Sequence, residues 1–117
     1  MGDGDDFRGL LHGELRHADG RMVYALSGDM DMVTSEQLVA RVREIADGSV
    51  PFDLDLTDVG FMDSTGLRSL FHLHDIATAR GGRLRLLQPS DRIMRLLELT
   101  GTADQFEIVH GTATERR

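Results

Sequence analysis

Cysteine is missing from this 117-residue chain, so disulfides, thiolate nucleophiles and sulfur-held metals are excluded. Lysine is missing too: all 13 basic residues are arginine, against 20 acidic ones, and the net charge is −7. A phosphate backbone needs a basic face, so this balance argues against a nucleic acid partner. No apolar run approaches the roughly 18 residues needed to cross a bilayer. The opening MGDGDDF lacks the basic-then-apolar layout of a secretory leader. The expectation is a cytoplasmic protein with no membrane contact.

The hydrophobic content of 40% suits a folded chain of this length with a single core. Residues 1–9 are read as a disordered acidic N-terminus, 10–110 as one domain and 111–117 as a flexible tail. Leu10 to Arg16 reads as a strand, Asp19-Gly20 as a hairpin turn, and Met22 to Ser27 as the returning strand; Leu15 and Val23 are candidates to pair across it, with the register left open. Gly28 to Val33 reads as a loop. Thr34 is the expected N-cap of a first helix, with Gln37 completing a capping box and Leu38, Val42, Ile45 and Ala46 on its apolar face. Gly48 is expected to end that helix.

The segment from Phe52 to Leu73 organises the chain. Phe52, Leu54 and Leu56 alternate with Asp53, Asp55 and Thr57, as in a strand with unlike faces. A short polar turn is expected at Asp58. Asp63-Ser64-Thr65-Gly66 then opens a helix with Leu67, Leu70, Phe71, Leu73, Ile76 and Ala77 on a broad apolar arc. Arg68, His72, Asp75 and Ala79 form its narrow outer strip. Phe71, at the edge of the arc, is expected to be exposed for contact. Gly81-Gly82 stops the helix. Leu84, Leu86 and Leu87 give another strand, Pro89-Ser90 opens a short helix with Ile93, Leu96 and Leu97 inward, Gly101 closes it, and Phe106 to Val109 forms a last strand or extended edge. After the hairpin, strands alternate with helices, which predicts right-handed crossovers and a mainly parallel sheet.

Ser64 thus lies where a helix begins. The first amides of a helix lack intrahelical acceptors and the dipole there is positive, so a negative group on Ser64 is electrostatically favoured. The competing reading is that Asp63 or Ser64 caps the helix. Other chemistry finds little support. A Gly-x-Ser-x-Gly nucleophile elbow needs glycine where Met62 stands. His72 and His74, two apart on a helix, point in different directions and do not share a metal. Asp3, Asp5 and Asp6 lack calcium-loop spacing and read as a solvated tail. Gly81-Gly82 lacks the Gly-Lys-Ser/Thr ending of a phosphate loop. No cofactor or metal is expected.

DLTDVGFMDSTGLRSLF resembles the signature of the STAS domain, and in particular of bacterial anti-sigma factor antagonists. Gly28-Asp29-Met30-Asp31 with Thr34 and Glu36 is similar to a second family segment, and Leu99-Thr100-Gly101 with Phe106-Glu107-Ile108 to a third. The resemblance implies an α/β fold, a small mixed, mainly parallel sheet of four to five strands with helices mostly on one side. It implies that Ser64 is a phosphoacceptor and that the protein is not an enzyme. It further implies a partner surface of Asp29, Asp31, Thr34, Asp63, Thr65 and Gly66, to which Phe71 is added from the helix pattern. Whether Asp31 orients Ser64, meets the partner or merely serves a cap or turn is open at this point. The implied partners are an anti-sigma factor serine kinase and a PP2C-type phosphatase. The alternative is a STAS subunit that docks constitutively in a lipid-transport or stressosome-like assembly. Oligomeric state is not legible.

Overall fold

The computed structural model describes residues 4–46, 52–79, 81 and 84–110. Its strands are β1 (Gly4–Phe7), β2 (Leu11–Ala18), β3 (Arg21–Met30), β4 (Phe52–Met62), β5 (Leu84–Leu87) and β6 (Glu107–Val109). They form one six-stranded sheet in chain order. The pairs β1/β2 and β2/β3 are antiparallel, and β3 through β6 run parallel. Between them lie α1 (Met32–Ile45), α2 (Ser64–Ala79) and α3 (Asp91–Leu99). The fold is the mixed α/β sheet expected, with six strands among the described residues rather than four to five.

Side-chain alternation sorts the sheet into two faces. Leu11, Met22, Tyr24, Leu26, Phe52, Leu54, Leu56, Leu84 and Leu86 are buried on the inner face. Leu38 and Val42 of α1, Leu70 and Leu73 of α2, and Ile93 and Leu97 of α3 join them in one cluster. The helices therefore share one side of the sheet. Arg68, His72, Asp75 and Ala79 are exposed, so the outer strip of α2 lies where its periodicity puts it.

The opposite face carries an ionic ladder that the alternation did not reveal. Asp53 is 1% exposed, yet it accepts from Arg21 Nε at 2.9 Å and Nη2 at 2.6 Å, and from Arg85 Nε and Nη2 at 3.0 Å each. Burial alone pushes the Asp53 carboxyl up; together the two guanidiniums outweigh it and hold it below its ordinary value.

Several expectations need correction. Gly4–Phe7 is a strand, not disordered chain. Asp5 is no solvated tail residue: it accepts from Tyr24 Oη at 2.7 Å and from Arg41 Nε at 3.0 Å, which ties β1 to β3 and α1. Asp6 pairs with His12 at 2.8 Å. The hairpin turn at Asp19-Gly20 has φ of 52° and 77°, as a two-residue primed turn requires, and the register the sequence left open sets Leu15 opposite Tyr24 and Val23 opposite Arg16. Ala46 is the C-cap of α1. The stop at Gly48, residue Gly82, Asp3 and the tail at 111–117 lie outside the described residues. Among the described residues, no helix is long and apolar enough to cross a membrane.

Candidate functional site

The parallel strands β3 and β4 end together, and α1 and α2 start from those ends. Asp63 lies between β4 and α2. Its carboxylate accepts from the Gly66 N–H at 2.9 Å and its carbonyl from Leu67 N–H at 2.9 Å, so Asp63 caps α2. That settles the choice between Asp63 and Ser64. Ser64 is the first residue of α2, is exposed, and its hydroxyl makes no hydrogen bond to a described residue. Cap and free hydroxyl thus belong to adjacent residues.

The start of α2 is pressed against the end of β3. Asp63 donates its backbone N–H to the Met30 carbonyl at 3.2 Å. Gly66 is buried, and a Cβ there would come to 2.3 Å from that same carbonyl oxygen. Glycine is required because two backbones meet without room for a side chain. The Gly28–Asp31 segment and the Asp63–Gly66 segment, far apart in sequence, are brought together by this contact.

Gly28 to Val33 is not a free loop. β3 continues through Met30, and Asp31 is the N-cap of α1. Asp31 Oδ1 accepts from Val33 N–H at 3.0 Å and Thr34 N–H at 3.1 Å. Thr34, expected as the cap, stands three residues into the box instead. Its buried Oγ1 accepts from Asp31 N–H at 3.1 Å and donates to the Asp29 carbonyl at 2.9 Å. The carboxylate of Asp31 reaches two amides and displaces the hydroxyl from the capping role. Of the readings left open for Asp31, capping is the one its bonds account for.

The polar turn expected at Asp58 is absent, because β4 runs on as an interrupted strand. Its pairing with β3 slips between Ala25/Ser27 and again between Gly28/Asp29. Each slip adds a residue on β4, so the buried positions go from Leu56 to Val59 to Met62. The second bulge turns Phe61 outward, opposite Asp29, where it is 42% exposed. Met32 at 73% and Val33 at 44% project from the first turn of α1, and Leu10 at 43% lies next to Gly28, its carbonyl accepting from Asp29 N–H at 2.9 Å. These exposed apolar side chains crowd the end of the sheet that carries Ser64. Sequence reading missed them; the only hint was Phe61-Met62, apolar neighbours that cannot both face inward on an ordinary strand.

A groove of about 500 Å³ runs between α1 and α2, lined in part by Met32, Ser35, Glu36, Thr65, Arg68 and His72. Ser35 Oγ is buried there without a partner among the described residues. Phe71 does not take the exposed role expected for it. It is half-buried, its ring centroid 5.1 Å from that of Phe106. The edge of the apolar arc is covered by the segment before β6, which helical periodicity cannot show. His74 is half-buried and meets Phe106 edge-on at 5.8 Å, while His72 is exposed.

Residues 13–115 match the STAS domain family, and the chain belongs to it. It is 35% identical over 85 residues to the anti-sigma-B factor antagonist of Listeria monocytogenes, covering 71% of this chain and 74% of the relative. Its fold is similar to that of an anti-sigma factor antagonist from Mycobacterium paratuberculosis, with TM-score 0.74 and 26% identity over 85% of each chain. It is also similar in fold to the Bacillus cell fate determinant SpoIIAA in its phosphorylated form, with TM-score 0.67 and 23% identity over 89% of this chain and 95% of that one.

Proposed function

We propose that this chain is an anti-sigma factor antagonist whose binding is switched by phosphate on Ser64. One observation carries the reading: Ser64 presents an exposed, unengaged hydroxyl at the first position of α2 while Asp63 does the capping. Modification therefore costs the fold neither a cap nor a buried bond. Unmodified, the protein holds its anti-sigma factor, a serine kinase, through the surface around Ser64, where Phe61, Met32 and Val33 supply apolar contact. Asp29, Asp31, Asp63 and Thr65 belong to the same end of the sheet. Thr34 and Gly66 are buried and support that surface from beneath.

Phosphate adds about −1.5 to −2 charges at neutral pH. In the free protein water and the first amides of α2 accommodate it. In the complex it would be desolvated among Asp29, Asp31 and Asp63. A loss of ~3 kcal/mol is enough to weaken binding more than a hundredfold. A PP2C-type phosphatase resets the switch. Ser64 serves as acceptor rather than nucleophile: among the described residues no base is hydrogen-bonded to it. With a net charge of −7 the working partners are proteins rather than nucleic acid, and the cytoplasm is the proposed site of action.

Incubation with candidate anti-sigma kinases and Mg-ATP, read by intact mass, tests this. One phosphate on the parent and none on Ser64→Ala is the expected result. Phosphate still entering Ser64→Ala would move the acceptor elsewhere. Recovery of a transporter ATPase, and no kinase-like anti-sigma factor, in pull-downs from the native host would favour the constitutive subunit.

A further inference from the structure

We propose that Arg68 is the intramolecular counter-ion of a phosphate carried on Ser64. The proposal rests on the reading of Ser64 as phosphoacceptor and adds the residue that receives the charge.

Ser64 and Arg68 lie four residues apart on α2, and both are exposed. On a helix such residues are stacked neighbours on one face, their Cβ atoms about 5–6 Å apart. The Cα–Cβ bonds of a helix tilt toward its N-terminus, so the side chain at the later position leans back over the earlier one. The arm of Arg68 is therefore long enough to lean back to a phosphate on Ser64. A guanidinium also offers paired donors that match phosphate oxygens.

Arg68 is unengaged in the unmodified protein: it makes no ion pair or hydrogen bond with a described residue. Other arginines are committed, Arg21 and Arg85 to Asp53, Arg41 to Asp5 and Arg16 to Asp55. Arg43 also lines the groove, but from the last turn of α1, at the other end of that helix from Met32; the charged groups nearer Ser64 are mostly acidic. Asp63 is adjacent, Asp29 and Asp31 arrive with the end of β3, and Glu36 shares the α1–α2 groove with Arg68. His72, two turns beyond Ser64, is about 12 Å along the axis. Arg68 is the cation on the same face, one turn away.

The measurement uses full-length protein with phosphoserine encoded at position 64, so no kinase is needed, and follows the phosphate by ³¹P NMR titration. The second pKa of the phosphate is expected about 0.3 lower in the parent than in Arg68→Gln, from the strength of helical ion pairs four residues apart. Arg68→Lys should keep most of the difference, and His72→Gln should leave the parent value unchanged. Equal values in the parent and Arg68→Gln would overturn the proposal, as would His72→Gln matching the effect of Arg68→Gln. A kinase that fails to modify Ser64 refutes the switch but leaves this result standing. Equal pKa values refute the counter-ion and leave the switch untouched.

Discussion

The backbone N–H of Asp63 donates to the carbonyl of Met30, 3.2 Å away, and this contact joins the two halves of the candidate site. It sets the residue that caps α2 against the last residue of β3. One position later in β3's direction, Asp31 caps α1. Two helix starts are thereby held side by side at the end of two parallel strands.

The tightness of that junction makes Gly66 its most sensitive position. In Gly66→Ala the new methyl would stand 2.3 Å from the Met30 carbonyl oxygen, a backbone atom that cannot swing aside. The start of α2 must move away from β3. A destabilisation of about 1–3 kcal/mol is expected, the usual cost of overpacking. Thermal melting measures it. Unchanged stability would mean that the junction is looser than this.

The apolar rim should matter for binding and not for folding. Met32 and Phe61 are 73% and 42% exposed, so Met32→Ser with Phe61→Ser should shift stability by no more than about 0.5 kcal/mol. Affinity for the anti-sigma factor should fall by a factor of ten or more, at ~1.4 kcal/mol per decade. Calorimetric titration against the purified partner reads the effect. Wild-type affinity in the double variant would remove these residues from the interface.

Asp31 and Thr34 act as one device. Asp31→Ala removes the acceptor of two α1 amides and should cost about 1 kcal/mol. Thr34→Val leaves the Asp29 carbonyl and Asp31 N–H without their buried partner and should cost about 1–3 kcal/mol. Since the two side chains share bonds, the double variant should lose less than the sum of the single losses. Urea denaturation of the four proteins closes the cycle; strict additivity would deny the coupling.

Asp53 makes stability depend on acid. Its carboxyl is held below the ordinary 3.8, so folding favours its charged form. That contribution is fully present above about pH 4 and is lost as pH falls through the depressed folded value. Asp53→Asn should flatten this limb of the curve. It should also cost about 3 kcal/mol at neutral pH, because Arg21 and Arg85 then face no buried carboxylate. Denaturation midpoints from pH 7 down to pH 2 follow both effects. An acid limb of the same depth in both proteins would assign it to other groups.

The order of elements after the hairpin was legible in the letters, because each signal is local. Period-two alternation marks Phe52 to Leu56, turn residues mark Asp19-Gly20, and the apolar arc marks α2. Ser64 at the first position of α2 is legible for the same reason: strand, aspartate and helix follow one another directly. The family resemblance is carried by those same local runs.

Tertiary structure decided what depends on partners distant in sequence. Gly4–Phe7 becomes a strand by pairing with β2, and Tyr24 and Arg41 anchor it through Asp5. Phe61 faces out because β4 carries extra residues relative to β3, and Phe71 is covered because Phe106 packs on it. Asp53 reads as a solvent-facing strand residue until two arginines from other strands close over it. Local pattern fixes which way a segment folds. Which neighbour then meets it, and so which side chains stay free, follows from packing between segments that no nearby letter records.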